Sequence, residues 1–158
     1  HQDWIVKVDY RDGAGSGAVL WRLGQDGDFT VVSPDSQPWF SHQHDATYID
    51  PTTIAVYDNG NTRCANAQAP CNSRGQVYQL DEARRIATLR VNADLGVYSG
   101  RLGSAQRLSN GNFAFGSGAV AARFSDLTEI GAAGGVTFGL RTNITTYRTL
   151  RLRSLYEP

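Results

Sequence analysis

The chain has 158 residues, 41% of them hydrophobic and 19% charged, a composition that builds a core and a length that suits one domain or part of one. Lys+Arg and Asp+Glu balance at 15 each, which excludes the basic excess of a non-specific nucleic-acid or membrane-surface binder; no apolar run is long enough to span a bilayer. The chain starts at His1, contains no methionine and shows no signal-peptide pattern, so it reads as a processed protein or a piece of a longer one.

Short runs rich in Val, Ile, Thr and aromatic residues predict strands over 4–10, 18–23, 46–49, 53–57, 76–80, 85–91, 104–108, 112–115, 119–124, 135–140 and 147–152. Gly, Asn, Asp and Pro turns separate them, and no window sustains a 3.6-residue period, so the fold class is all-β. The first two runs flank a glycine-rich hairpin loop, Arg11 to Gly17. It lacks the Lys-Ser/Thr ending of a phosphate-binding loop, and no helix is predicted after it. Cys64 and Cys71 bracket a polar, Pro-containing excursion. They form either a disulfide, which implies an oxidising compartment, or two free thiols. The spacing is not Cys-x-x-Cys, and no further cysteine exists for a zinc site. Residues 81–85 read as a charged hairpin loop. Asn143-Ile144-Thr145 matches a glycosylation acceptor, a pattern too short to carry weight.

Residues 45–57 repeat in residues 104–116, an offset of 59 counted from Asp45 to Ser104. Each copy is a strand, a turn and a second strand, with Asp50-Pro51-Thr52 as one turn and Asn110-Gly111 as the other. Two more strand-like runs follow each copy. Four antiparallel strands in about 50 to 60 residues make a β-propeller blade, so the pattern predicts a partial propeller of about two and a half blades. The runs 4–10 and 18–23 would form half of a preceding blade, and 147–152 a single terminal strand. Residues 1–158 then belong to one propeller domain whose remaining blades are its partners, with self-association left open. A β-sandwich is the alternative architecture.

Two of the three histidines lie in Ser41-His42-Gln43-His44-Asp45, just before the first hairpin, and Asp58-Asn59-Gly60-Asn61-Thr62-Arg63 closes it. A turn centred near Pro51 sets position 44 opposite position 58 and brings Arg63 to the same end. His44 would act there as general acid or nucleophile with Arg63 clamping an anion. His42 shares parity with His44 in an extended segment. A metal site of His42, His44 and Asp45 fits poorly, because neighbours in a strand point to opposite faces and the chain offers no further histidine beyond His1. Solvated loop residues remain the plain alternative.

Residues 39–46, 56–63, 103–112 and 147–156, with Gln2 to Tyr10 and Val19 to Gly24, resemble the C-terminal part of arylsulfotransferases. The resemblance implies a six-bladed propeller, secreted or periplasmic, that moves a sulfuryl group between phenols without a nucleotide donor or other cofactor. Aryl sulfate and phenol would be its small-molecule partners. It also implies that His44 assists transfer and that Arg63 binds sulfate, and His42 and Asn59 are taken with them as substrate-binding. The position matching His44 in the repeat is Gly103, and no histidine follows His44. A non-catalytic extracellular propeller, binding a ligand or serving as a scaffold, is the rival expectation.

Overall fold

The computed structural model describes residues 2–65, 67–152 and 154. Asn66, in the loop between the cysteines, and Arg153, Leu155 and Tyr156, in the terminal motif, lie outside the described residues.

Three sheets stack face to face. The first pairs β1 (Trp4–Val8) with β2 (Val19–Gly24). The second contains β3 (Thr30–Val32), β4 (His44–Asp50), β5 (Thr53–Asp58), β6 (Arg74–Asp81) and β7 (Ile86–Asp94), in the spatial order β3-β7-β6-β5-β4. The third contains β8 (Ser104–Arg107), β9 (Phe113–Val120), β10 (Phe124–Ile130) and β11 (Val136–Thr142), in the order β11-β10-β9-β8. The repeat therefore occupies equivalent places: β4-β5 and β8-β9 each lead a sheet from one edge. One short helix, α1 (Asn61–Ala65), follows β5.

The second sheet is buried on both faces because β5 alternates its apolar side chains. Ile54 and Val56 join Trp21, Leu23, Phe29, Phe40, Tyr78 and Leu80 in the core facing the first sheet. Ala55 and Tyr57 point the other way and meet Val77, Phe113, Phe115 and Ile130 against the third. Such a strand reads as a continuous apolar run, since neither face meets water. The sheets approach closely at Gly75, where a Cβ would lie 2.3 Å from the Phe115 ring.

Several expectations need correction. The second sheet is not a plain four-stranded antiparallel unit: β3 adds to its outer edge, parallel to β7, with Thr30 paired to Ile86. The sequence predicts no strand there, because the four residues between Asp28 and Ser33-Pro34 give no period to read. The runs 112–115 and 119–124 are not two strands. Gly116-Ser117-Gly118 looked like a turn but lies inside β9, and the turn falls at residues 121–123, where Ala121 and Ala122 take φ of 48° and 54°. Residues 147–152 form no strand. Instead Ser104 and Gln106, two apart on β8, hold the peptide groups of Thr149 and Arg151 with side-chain hydrogen bonds.

Candidate functional site

The site lies at the end of the second sheet where β4 begins and β5 stops. His44 pairs with Tyr57 rather than with position 58. The cause is a bulge between His44 and Thr47, with Asp45 at φ 53°, and a second irregularity between Tyr48 and Asp50; each shifts the register by one. Asp45 uses that geometry to accept from the backbone N–H of Ala105 (3.0 Å) and to pair with Arg148 (3.2 Å), tying the bulge to the third sheet.

His44 is half-buried, and its Nδ1 lies 2.7 Å from Asn59 Oδ1 and 3.1 Å from the carbonyl oxygen of His42. Asn59 has no exposed surface. Its Nδ2 donates to the carbonyls of Ser99 (2.6 Å) and Leu102 (2.9 Å), in the connection between β7 and β8. Ser73 completes the seam: its hydroxyl donates to the Asn59 carbonyl (3.1 Å) and accepts from Ser99 N–H (2.9 Å).

His42 does not share the direction of His44. Its φ of 53° breaks the extended run, so parity no longer applies. Its N–H donates to Asp3 Oδ1 (2.8 Å), and its Nδ1 lies 3.5 Å from the same oxygen. The residue just before β1 thereby holds one histidine, and the connection leading into β8, through Asn59, the other.

Arg63 sits on α1 and folds back over Gly60 toward Asp58. Its Nη2 donates to the Asn72 carbonyl (2.7 Å) and reaches Asp58 Oδ2 (3.3 Å); its Nη1 lies 2.9 Å from Cys71 Sγ. Cys64 and Cys71 form a disulfide, closing the excursion and holding this wall against the guanidinium. Arg63 Nε is buried and has no hydrogen-bond partner among the described residues. A buried donor left unsatisfied is costly, and an anionic oxygen is the group that would satisfy it. Arg63 also lines, with Asp3, Trp39, Phe40, Ser41 and Thr62, a cleft of about 380 Å³. No hydrogen bond or ion pair joins His44 to Arg63 among the described residues; adjacent residues, Asn59 and Asp58, hold them separately.

Sequence reasoning missed the charged network behind Arg63. Asp58 is fully buried and accepts from Ser41 N–H (2.9 Å), Arg74 Nε (2.9 Å) and Arg63 Nη2. Arg74 continues to Asp35 (2.8 Å) and to the carbonyls of Gln37 and Trp39. The Gln37 N–H, helped by the Asn92 amide and Arg74 and opposed by desolvation, holds the Asp35 carboxyl below the usual carboxylate range. The one available signal was an arginine opening the apolar run of β6.

Gly103, the repeat's counterpart of His44, packs against Tyr57: a Cβ there would lie 2.4 Å from the ring. A side chain at that position cannot coexist with this aromatic, so the second copy has no room for a histidine in this packing.

Residues 1–148 match the family model described as Arylsulfotransferase (ASST). A search of the curated proteins finds no match.

Proposed function

Because the chain belongs to the arylsulfotransferase family, we propose that it takes part in moving a sulfuryl group between phenolic compounds without a nucleotide sulfate donor, through His44 and Arg63. The family match over nearly the whole chain carries this reading. The half-buried His44 ring, anchored at one nitrogen, and the unsatisfied donor on Arg63 support the site.

The chemistry follows from the groups present. An imidazole nitrogen attacks the sulfur of an aryl sulfate, the sulfur–oxygen bond to the aryl group breaks, and the aryloxide leaves and takes a proton from water. The sulfuryl group rests on the ring nitrogen as an N-sulfo imidazolium. A phenol oxygen then attacks the same sulfur, the nitrogen–sulfur bond breaks, its electron pair returns to the ring, and the phenol proton is released. Charge spreads over the equatorial oxygens in each step, and Arg63 is the cation suited to stabilise them. His42, beside Asp3, and Asn59 are the further residues of this site. Two half-reactions through one covalent intermediate give ping-pong kinetics.

The finer architecture belongs to the same proposal. Residues 1–158 form the C-terminal part of one six-bladed propeller. The repeated strand order supports this, as do the exposed apolar side chains on the two outermost sheets: Val6, Val8, Val19 and Leu20 on one, Val136, Phe138 and Leu140 on the other. Remaining blades would cover them. The disulfide supports a secreted or periplasmic location. Among the described residues no helix is long and apolar enough to cross a membrane.

A second reading rests on the separate anchoring of Arg63 and His44: a propeller that binds an aryl anion in the cleft beside Arg63 and transfers nothing. Turnover with a nitrophenyl sulfate donor and a phenol acceptor decides between them. His44→Ala and Arg63→Ala should each lower kcat by about a hundredfold or more, with folding checked by circular dichroism. Turnover undiminished in both variants removes the site assignment; binding without turnover in the parent chain favours the second reading.

A further inference from the structure

Asn59 has an amide with no freedom left. Both hydrogens of its Nδ2 are committed, to the Ser99 carbonyl at 2.6 Å and the Leu102 carbonyl at 2.9 Å. A flipped amide would set Oδ1 against two carbonyl oxygens, so Oδ1 must be the atom facing His44. Oδ1 can only accept. The His42 carbonyl, the other partner of His44 Nδ1, can only accept as well. Two acceptors 2.7 Å and 3.1 Å from one ring nitrogen require a proton on it.

We infer that Asn59 is a positioning residue that locks neutral His44 in the Nδ1–H tautomer, leaving the lone pair on Nε2 as the nitrogen that meets the sulfuryl group. Free imidazole side chains favour the opposite tautomer, so the lock works against an intrinsic preference. It also fixes the ring plane, because the partner oxygen belongs to a side chain without exposed surface. In the transfer step, the positive charge that develops on the ring is shared with the Nδ1–H, which points at Asn59 Oδ1. Asn59 thus acts on the substrate through His44. The anchor lies in the third sheet's leading connection, at Ser99 and Leu102, so the reactive nitrogen is aimed only when the second and third sheets are docked. The role in catalysis rests on the transfer reading above; the tautomer does not.

The chain has three histidines, His1, His42 and His44, which makes nitrogen-15 NMR of the rings practicable. Long-range proton–nitrogen correlation on histidine-labelled protein, with His44→Gln to assign the signal, reads the tautomer directly. Above the pH at which the rings are neutral, His44 should show a protonated Nδ1 and an unprotonated Nε2. Asn59→Ala should admit the Nε2–H form, and Asn59→Asp, which keeps an acceptor but gives up both donors, should restore Nδ1–H. A merely structural role for Asn59 would make the two variants alike. The same Asn59→Ala variant should lose about tenfold to a hundredfold in kcat with KM little changed. An Nε2–H tautomer in the parent chain, or a tautomer unmoved in Asn59→Ala, overturns the lock even where turnover persists. A locked tautomer in a chain without turnover overturns the transfer reading and leaves the lock standing.

Discussion

Tyr57 has no exposed surface, and its hydroxyl donates to Ser117 Oγ at 2.7 Å across the second and third sheets. Burial pushes this phenol from its ordinary 10.0 up to about 12, against the opposing pull of hydrogen bonds to Ser117, Ser73 and Ser99. The folded state therefore holds the proton more tightly than the unfolded chain. The associated stability is fully present below pH 10 and is lost as pH rises toward 12. A gap of this size corresponds to about 2–3 kcal/mol. Tyr57→Phe should flatten the alkaline fall in urea-denaturation stability relative to the parent chain. The comparison must be a difference, because Tyr48 is raised to about 12 by its own desolvation and the Glu82 charge, and burial also raises Tyr78 well above its ordinary value. Identical alkaline profiles for parent and variant would show that the phenol has no such role.

At the scale of elements, the two copies of the strand-turn-strand repeat have diverged where they touch. The Tyr57 ring of one copy fills the space above Gly103 of the other. Gly103→His should therefore cost about 1–3 kcal/mol in denaturant stability, the range for overpacking a filled site. A variant as stable as the parent would mean that the ring moves aside. The repeat, the all-β character and the hairpins were legible because alternation of apolar residues is a local signal. The limits of β9 and β10 were not, since Gly116 and Gly118 are glycines for a tertiary reason: a Cβ at Gly116 would meet Ser104 Oγ at 2.4 Å, and one at Gly118 would meet the Thr146 carbonyl at 2.3 Å. Which candidate residues touch one another was less legible than the strands that carry them. His44 and Asn59 do meet, but the one-residue bulge at Asp45, the backbone reversal at His42 and the Asp58–Arg74–Asp35 network arise from long-range partners that no local pattern announces.

For the whole molecule, the outer sheets present runs of exposed apolar residues, where the middle sheet exposes Val32 and Tyr48 on its two edge strands. Phe138 and Leu140 stand on one face of β11 with 41% and 49% of their surface exposed, an area of the kind that marks an interface. The chain alone should associate at micromolar concentration, and Phe138→Lys combined with Leu140→Lys should shift its sedimentation velocity toward the monomer. A parent chain that stays monomeric would show that these faces need no cover. The middle sheet raises a different matter, one of timing. Among the described residues its edge strand β3 pairs with β7 alone, with Thr30 meeting Ile86 56 positions later. A ribosome adding about 5–20 residues each second leaves β3 waiting several seconds for that partner. The strap that finishes the sheet's outer edge is thus made early and placed last, and until it is placed the newborn chain keeps an open edge.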